Sequence, residues 1–288
     1  LLAVHDAFQE CLDNNISVTI IEGNHDKVDQ EAARGYCHVF DSFDNVHVID
    51  TWGEVGFGDL AMGLISYFPE NGSFIQKHDE LMGYFDGTDY QKRILYIHQG
   101  IRGALSQPTD DELPADMFYK WDKVLVGHYH NRCKFDNIEY IGSSRQHNFG
   151  EDEEKGYTIL FSDGDTEFVQ NKVNIRYKTL ELSFDEINSH IKETIEDLTQ
   201  DGYRVRVKIL CDPEQVKSLD KQFLIDSGAS KVEIAQSITE RTKVSQNTFE
   251  KRFDKSGLKN MYSTFCEENN IDNKEVEVGI RYPVSYTH

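Results

Sequence analysis

Asparagine, histidine and aspartate side chains lie together directly after an apolar segment of the chain. The segment 16–21 is rich in β-branched residues, which is typical of a buried strand, and the tetrapeptide Gly-Asn-His-Asp follows it at residues 23–26. Open α/β sheets place ligands and catalytic groups at the carboxyl ends of their strands. Asn24 offers a neutral oxygen, His25 an imidazole and Asp26 a carboxylate. This combination suits a divalent metal ion beside an acid/base group.

Two further apolar segments end in histidine. His98 follows one of them, and Gly-His-Tyr-His at residues 127–130 follows another. If the backbone is extended over this second motif, His128 and His130 point the same way, because side chains two residues apart in a strand share one face. We therefore predict that both imidazoles reach into one cavity and contact neighbouring ions.

The combined donor set predicts phosphoryl chemistry. Imidazole nitrogens together with the Asn24 oxygen suit manganese, iron or zinc better than calcium. Two ions about 3.5–4 Å apart would clamp a phosphoryl group for in-line displacement. His25 could donate a proton to the leaving oxygen or stabilise charge on the phosphorus.

Each of these motifs by itself also has a structural interpretation. A Gly-Asn-His-Asp turn can be a simple Asx turn, a lone histidine at a strand end is often structural, and a His-x-His pair can lie on the surface by chance. All of them at strand ends favour one site. The remaining histidines lack such a context, and we interpret them as ordinary: His5, His38, His47, His78, His147, His190 and His288.

Hydrophobic periodicity indicates the elements that position these turns. Helices are predicted over residues 1–15 and 73–85. Strands are predicted over 16–21, 46–49, 60–68, 93–97, 124–126, 138–141 and 156–161. The segment 172–182 leads into a second group of elements, which comprises a helix over 184–198, a strand over 203–210, a helix from Pro213 to about residue 224, and a strand over 231–238. The order predicts an α/β domain followed by a small α+β module, and residues 245–270 read as a charged helical segment.

Composition limits the class of protein. The chain has 288 residues, with 30 basic and 51 acidic side chains and a net charge of −21. On charge alone a nucleic-acid partner is disfavoured, although bound metal ions would supply local positive charge. The five cysteines include no CxxC pair and read as reduced intracellular thiols. No apolar stretch approaches the ~18 residues that span a bilayer. Because the chain opens without methionine, we expect it to begin inside a longer protein.

The order of the motifs resembles that of the calcineurin-like metallophosphoesterase superfamily. That pattern runs Asp-x-His, Gly-Asp-x-x-Asp, Gly-Asn-His-Asp, His and Gly-His-x-His, and the last three are present here. The segments 140–145, 149–151 and 155–157 (Tyr-Ile-Gly-Ser-Ser-Arg, Phe-Gly-Glu and Lys-Gly-Tyr) resemble those of SbcD-type DNA repair nucleases, which include phage recombination endonuclease subunits. The motifs cover residues 1–175, and the remainder is similar in architecture only.

The resemblance implies a four-layer α/β/β/α sandwich with a nuclease domain at residues 1–175, a DNA-capping domain at 176–240 and an ATPase-docking segment at 241–288. It also implies a set of site residues and roles. Asn24, His98 and His128 would bind one metal ion and His130 the other, with His25 as the catalytic histidine and Asp26 as a supporting group.

The activity implied is 3′-to-5′ exonuclease and endonuclease cleavage with two divalent ions, most simply manganese. The implied partners are double-stranded DNA ends and hairpins, an SbcC-type ABC ATPase with a coiled coil, and a second copy of the chain. The implied location is the cytoplasm of a bacterial cell or of a phage-infected bacterial host.

The first two motifs of the pattern are absent from the chain. Without a bridging carboxylate, the repulsion of two neighbouring cations is not offset. We therefore expect the 288 residues alone to be inactive or to bind at most one ion weakly, and to lack the first strand and helix of the sheet. Two alternatives stay open: another phosphoesterase on this scaffold (a protein phosphatase or nucleotide phosphodiesterase), or an inactive ATPase-docking scaffold. Phosphate contacts of a nuclease could come from Lys120, Lys123, Arg132, Lys134 and Arg145.

Overall fold

The protein has a mixed α/β fold. The computed structural model describes residues 2–107, 109 and 111–236. All of these up to Ala235 belong to one compact unit. Its centre is a six-stranded mixed sheet. The helical segment predicted over 245–270 and the docking segment at 241–288 lie outside the described residues.

The central sheet has the strand order β3-β4-β5-β6-β8-β7. Its strands are β3 (Trp52–Phe57), β4 (Leu60–Ile65), β5 (Lys92–His98), β6 (Lys123–Gly127), β7 (Cys133–Phe135) and β8 (Ile138–Tyr140). The four inner strands are parallel, and the two edge strands pair antiparallel with their neighbours. In this register His98 is opposite Gly127. The histidine motifs that end β5 and β6 therefore meet at the carboxyl-terminal ends of these two strands.

A second, two-stranded parallel sheet carries the first motif. Helix α1 (Leu2–Asp13) leads into β1 (Val18–Ile20), which pairs with β2 (Val46–Val48). Ser66, just after β4, joins the two sheets, because its hydroxyl donates to the carbonyl oxygen of Ile49 and accepts from the amide of Glu22. The end of β1 is thereby fixed beside the end of β4.

Helix α2 (Phe74–Phe85) covers one face of the central sheet. Its buried positions recur with helical spacing and comprise Phe74, His78, Leu81, Met82 and Phe85. The sheet makes room for this layer at Gly63, where a Cβ atom would lie 2.9 Å from Leu81 and from Trp121. The prediction of a helix over 73–85 is confirmed.

A hairpin and a three-stranded sheet complete the described part of the chain. The hairpin consists of β9 (Gly156–Leu160) and β10 (Thr166–Gln170), and the sheet has the order β11 (Arg176–Ser183), β12 (Tyr203–Cys211), β13 (Ala229–Gln236). Helices α3 (Ser189–Gln200) and α4 (Lys221–Asp226) contribute to a core of their own with β12. The predicted domain boundaries, 1–175 and 176–240, stay predictions, because the separate core of the three-stranded sheet does not by itself define where a domain begins or ends.

Several elements differ from the predictions in extent. The predicted helix over 184–198 begins only at Ser189, because the Asn188 side chain accepts hydrogen bonds from the amides of His190 and Ile191 and so caps the helix there. The helix predicted from Pro213 is instead a short 3-10 turn followed by α4. Strands β3 and β7 were not predicted, since β3 contains two glycines and β7 has only three residues.

Two further sequence expectations concern cysteines and membranes. The four cysteines in the described residues, Cys11, Cys37, Cys133 and Cys211, are free thiols. Among the described helices, none combines the length and the apolar character that crossing a bilayer requires.

Candidate metal centre

Three predicted ligands from three strand ends lie together. The Oδ1 atom of Asn24 is 3.1 Å from Nε2 of His98. The imidazole rings of His98 and His128 meet edge to face, with ring centroids 5.3 Å apart and an interplanar angle of 81°. Residues separated by 74 and 30 positions in the sequence thus lie in contact with one another. This convergence is the central feature of the site.

The two motif glycines are explained by their closeness to His98. A Cβ atom at Gly23 would lie 2.8 Å from Cε1 of His98, and a Cβ atom at Gly127 would lie 2.8 Å from its Nδ1. Real Cβ atoms essentially never approach other heavy atoms this closely. Because the imidazole is held between these two backbones, glycine is needed at both positions for a steric reason.

The backbone at His128 departs from the sequence prediction. His128 has a φ of 94°, in the region that residues with a Cβ rarely adopt. The extended conformation expected over residues 128–130 is therefore wrong, and the shared orientation of His128 and His130 does not follow from strand geometry. Strain of this kind costs on the order of 1–3 kcal/mol and is concentrated at functional sites.

Burial and mutual repulsion keep the central imidazoles neutral. Burial lowers the pKa of His98 to about 3, and repulsion from His128, His25 and His130 acts in the same direction. Burial also lowers the pKa of His128, against the opposing attraction of the Glu70 carboxylate. Neutral imidazoles present the lone pairs that a metal ion requires.

Asp26 and His25 have different environments within the first motif. The Oδ2 atom of Asp26 accepts a hydrogen bond from the Gly23 amide at 2.8 Å, so its carboxylate closes the turn on itself. The His25 side chain is exposed. Asp26 is thus positioned to support the turn, and His25 is accessible from solvent.

Two buried ionisable side chains, Glu22 and Lys27, flank the first motif at residues 23–26 and bind the backbone around it. Glu22 is fully buried and accepts hydrogen bonds from the amides of Gly35 and Cys37 at 2.7 and 2.8 Å. The Nζ atom of Lys27 donates to the carbonyl oxygens of Ala32 and Tyr67 at 2.9 and 2.7 Å. Burial lowers the pKa of Lys27, although nearby carboxylates, Glu22 foremost, partly offset this effect. Neither residue was predicted from the sequence, in which their position beside the motif is the only signal for them.

His130 has its own group of neighbours. Its Nδ1 atom lies 2.8 Å from Oε1 of Glu151, and its ring packs against that of His147 with centroids 4.9 Å apart. Burial would raise the pKa of Glu151, but hydrogen bonds from His130 and the His147 amide, together with the charges of His130 and Lys155, hold that pKa below its usual value. The interpretation of His147 as an ordinary histidine overlooked this contact, because its seventeen-residue separation from His130 carries no signal in the sequence.

The segment that carries Glu151 is anchored on the three-stranded sheet. The Gln146 side chain is buried, donates to the carbonyl oxygen of Tyr177 and accepts from the Tyr177 amide at 2.8 Å. The Phe149 ring packs edge-on against Tyr177, and the Arg206 guanidinium lies 4.9 Å from the Phe149 centroid. The surroundings of His130 therefore depend on residues of β11 and β12.

An acidic cleft of about 150 Å³ adjoins His128. Glu70 accepts hydrogen bonds from the Gly100 amide at 2.9 Å and from the Tyr67 hydroxyl at 3.2 Å. Glu112 is buried and accepts from the Tyr129 hydroxyl at 2.5 Å. Both oxygens of Glu70 and Oε1 of Glu112 have internal partners, whereas Oε2 of Glu112 is buried without one among the described residues. Neither residue was predicted from the sequence.

The donor set fits one metal ion with incomplete protein ligation. Asn24, His98 and His128 supply one amide oxygen and two neutral imidazoles. In the described part of the chain, no group of three or more histidine, cysteine, aspartate or glutamate side chains is arranged to hold a metal ion. For a second ion the predicted set offers the imidazole of His130 alone. The expectation of weak binding of at most one ion stays a prediction, and the donors present are consistent with it.

Two of the cationic residues considered for phosphate contacts are engaged elsewhere. Arg132 donates to the Ile141 carbonyl oxygen, and also to Glu139 at 2.8 Å, and Lys123 donates to the Gly164 carbonyl oxygen. Both stabilise the fold. The exposed cations of that set are Lys120, Lys134 and Arg145.

No protein-family model matches the chain. Two curated viral proteins are similar to it. One, from Invertebrate iridescent virus 3, is named "Putative phosphoesterase 078R" and is 25% identical over 196 residues, which is 65% of this chain and 52% of that protein. The other, from Invertebrate iridescent virus 6, is named "Putative phosphoesterase 244L" and is 25% identical over 215 residues, which is 72% of this chain and 73% of that protein. The chain thus spans about half the length of the first relative and nearly three quarters of the second.

Proposed function

We propose that this protein is a metal-dependent phosphoesterase. The observation that carries the proposal is the convergence of Asn24, His98 and His128 from three separate strand ends, with imidazoles kept neutral by burial. The names of the two viral relatives support the same class of reaction, which is hydrolysis of a phosphoester.

The side chains have distinct roles in this proposal. Asn24, His98 and His128 would hold the ion, which when bound polarises a phosphoryl oxygen and supplies a water of lowered pKa. His25, exposed beside Asn24, donates a proton to the leaving oxygen. Asp26 keeps the turn closed by accepting a hydrogen bond from the Gly23 amide, and this holds His25 in a fixed position relative to the ligand Asn24.

We further propose that the substrate is DNA and that the protein is a nuclease subunit of the SbcD type, with the four-layer sandwich of the metallophosphoesterases. Support comes from the sequence of residues 140–157, in which Glu151 contacts His130, and from the three-stranded sheet that follows. Two manganese ions, a capping role for residues 176–240, dimerisation and docking on a coiled-coil ABC ATPase belong to this same proposal.

A second candidate is a phosphoesterase that acts on smaller substrates. The observation that favours it is the net charge of −21, which disfavours binding of a polyanionic duplex. The third candidate is a scaffold that docks an ATPase without catalysis. The first candidate would cleave DNA, the second would cleave smaller phosphoesters, and the third would cleave neither.

A nuclease assay on the protein expressed from its complete open reading frame distinguishes them. We expect Mn²⁺-dependent digestion of blunt duplex DNA that is abolished in H128A. The matched control is H190A, which removes a histidine whose side chain is 82% exposed in α3 and lies outside the site. Hydrolysis of bis-p-nitrophenyl phosphate without digestion of DNA would favour the second candidate. Absence of both activities, with Mn²⁺ bound at its site, would reject the phosphoesterase and favour the scaffold.

A further inference from the structure

The imidazole of His130 is held on one nitrogen by a carboxylate. Glu151 Oε1 lies 2.8 Å from Nδ1 of His130, and the Glu151 side chain is only 8% exposed, whereas that of His130 is 53% exposed. One edge of the ring therefore faces an almost buried acceptor, and a substantial part of the ring remains open to solvent.

The backbone of His130 is fixed as firmly as its ring. Its carbonyl oxygen accepts hydrogen bonds from Nζ of Lys155 at 2.6 Å and from the Ser143 amide at 3.0 Å. The ring of His147 covers one face of the imidazole at a tilt of 31°. With the carbonyl group, one ring face and one ring nitrogen engaged, little conformational freedom is left to the side chain.

The hydrogen bonds around Glu151 determine which nitrogen of His130 carries the proton. An ionised carboxylate only accepts hydrogen bonds. Oε1 of Glu151 also accepts from Nδ2 of Asn148 at 3.0 Å, and Oε2 accepts from the His147 amide at 3.1 Å. A proton on Nε2 of His130 alone would leave two acceptors facing each other at 2.8 Å. Nδ1 must therefore be the donor.

We propose that Glu151 is a positioning residue that fixes His130 as the Nδ1–H tautomer and so leaves the lone pair of Nε2 available as a metal ligand. Carboxylate or carbonyl partners of this kind orient ligating histidines and raise their basicity. The orientation of the ring stands on the contacts around Glu151 alone, whereas its use for metal binding rests on the proposed function.

The tautomer is measured by NMR on protein labelled with ¹⁵N in its histidines, at pH 8 and without metal, with the His130 signals assigned by H130Q. We expect wild-type His130 to show a protonated Nδ1 and an unprotonated Nε2. In E151A and in E151M, which keeps the length of the side chain but has no acceptor, we expect His130 to shift mainly to the Nε2–H form or to a mixture.

The control is E153M. Glu153 lies two residues away, and its carboxylate bonds Nζ of Lys178 at 2.6 Å and the Tyr203 hydroxyl at 3.0 Å instead of His130. The same substitution there removes anchoring to the three-stranded sheet and should leave the His130 tautomer unchanged. If E151A fails to fold, as judged by circular dichroism, E151M decides the outcome. Retention of the Nδ1–H form in E151M, or its loss in E153M to the same degree, would overturn the positioning role.

Titration with diamagnetic Zn²⁺ alone then tests the metal role separately. The change in ¹⁵N chemical shift that accompanies coordination of Nε2 of His130 should require about 10–100-fold more Zn²⁺ in E151M than in wild type, the usual effect of removing such a partner. An unshifted Nε2 signal in wild type at saturating Zn²⁺, with Nδ1–H intact, would reject ligation by His130 while the orientation by Glu151 stands. Failure of the proposed function and failure of the positioning role thus give different spectra.

Discussion

Replacing Gly127 by alanine isolates the steric requirement at the centre of the site. The new Cβ atom would lie 2.8 Å from Nδ1 of His98, whereas ordinary van der Waals contacts begin at 3.4 Å, so the ring or the backbone must move by about 0.6 Å. Overpacking of this kind typically costs about 1–3 kcal/mol. At about 2–4 °C for each kcal/mol, the melting temperature should fall by roughly 2–12 °C. The φ of Gly127 is not in the left-handed region, so sterics rather than backbone strain account for the loss.

The same displacement should weaken metal binding, since a productive ligand geometry tolerates only about 0.5 Å of misplacement. Thermal unfolding, the His98 ring signals and Mn²⁺ titration measure the three effects. The matched control is Gly83→Ala in α2, where an added Cβ meets nothing within 4 Å. That substitution should stabilise the protein by about 0.5–1 kcal/mol through helix propensity. If Gly127→Ala melts like wild type and leaves the His98 signals unmoved, the account of the two motif glycines is wrong.

Three further substitutions test the surrounding fold. His78 accepts a hydrogen bond from Nε1 of Trp121 at 3.0 Å, and burial lowers its pKa. The stability that His78 contributes is therefore fully present above pH ~6.5 and is lost as the pH falls below that value. The urea midpoints at pH 7.5 and 5.0 should differ less in H78Q, which keeps an acceptor, than in wild type. R132M leaves Glu139 buried without its ion pair and should lower the free energy of unfolding by about 3–5 kcal/mol. In urea unfolding, R132M/E139L should recover most of that loss, and equal losses in the two variants would contradict the pairing. Q146A removes both bonds to Tyr177 and a third to the Glu151 carbonyl oxygen, and should cost about 1–3 kcal/mol. It should also increase hydrogen exchange over residues 146–151, and unchanged exchange there would count against the anchoring role.

The local elements follow from local patterns to a large extent. The apolar spacing of residues 74, 81, 82 and 85 predicts α2 with nearly its observed bounds, and the apolar runs predict β5 and β6. The missed strands β3 and β7 lie at the edges of the sheet, where a strand needs little apolar character of its own. The late start of α3 was decided by the capping side chain of Asn188, which competed with an amphipathic pattern that begins earlier.

The candidate site divides in the same way. Its ligand types, their order and their placement at strand ends are readable in the sequence, because a strand and the turn that follows it are local. The Asn24–His98 contact and the His98–His128 contact depend on parallel pairing of β5 with β6 and on the tie between β1 and β4 through Ser66. The strand-end positions predict one shared site, but which atoms meet in it depends on how the strands pair.

The sequence by itself determined which chemical groups are available and that each follows a strand, since apolar periodicity and residue type are properties of short segments. Only the tertiary structure decided that two glycines enclose His98, that His128 has a left-handed backbone, and that Glu151 and His147 surround His130. Those features arise from contacts between segments distant in the chain. No local pattern encodes them, because steric fit and hydrogen-bond direction are defined only once the strands have paired.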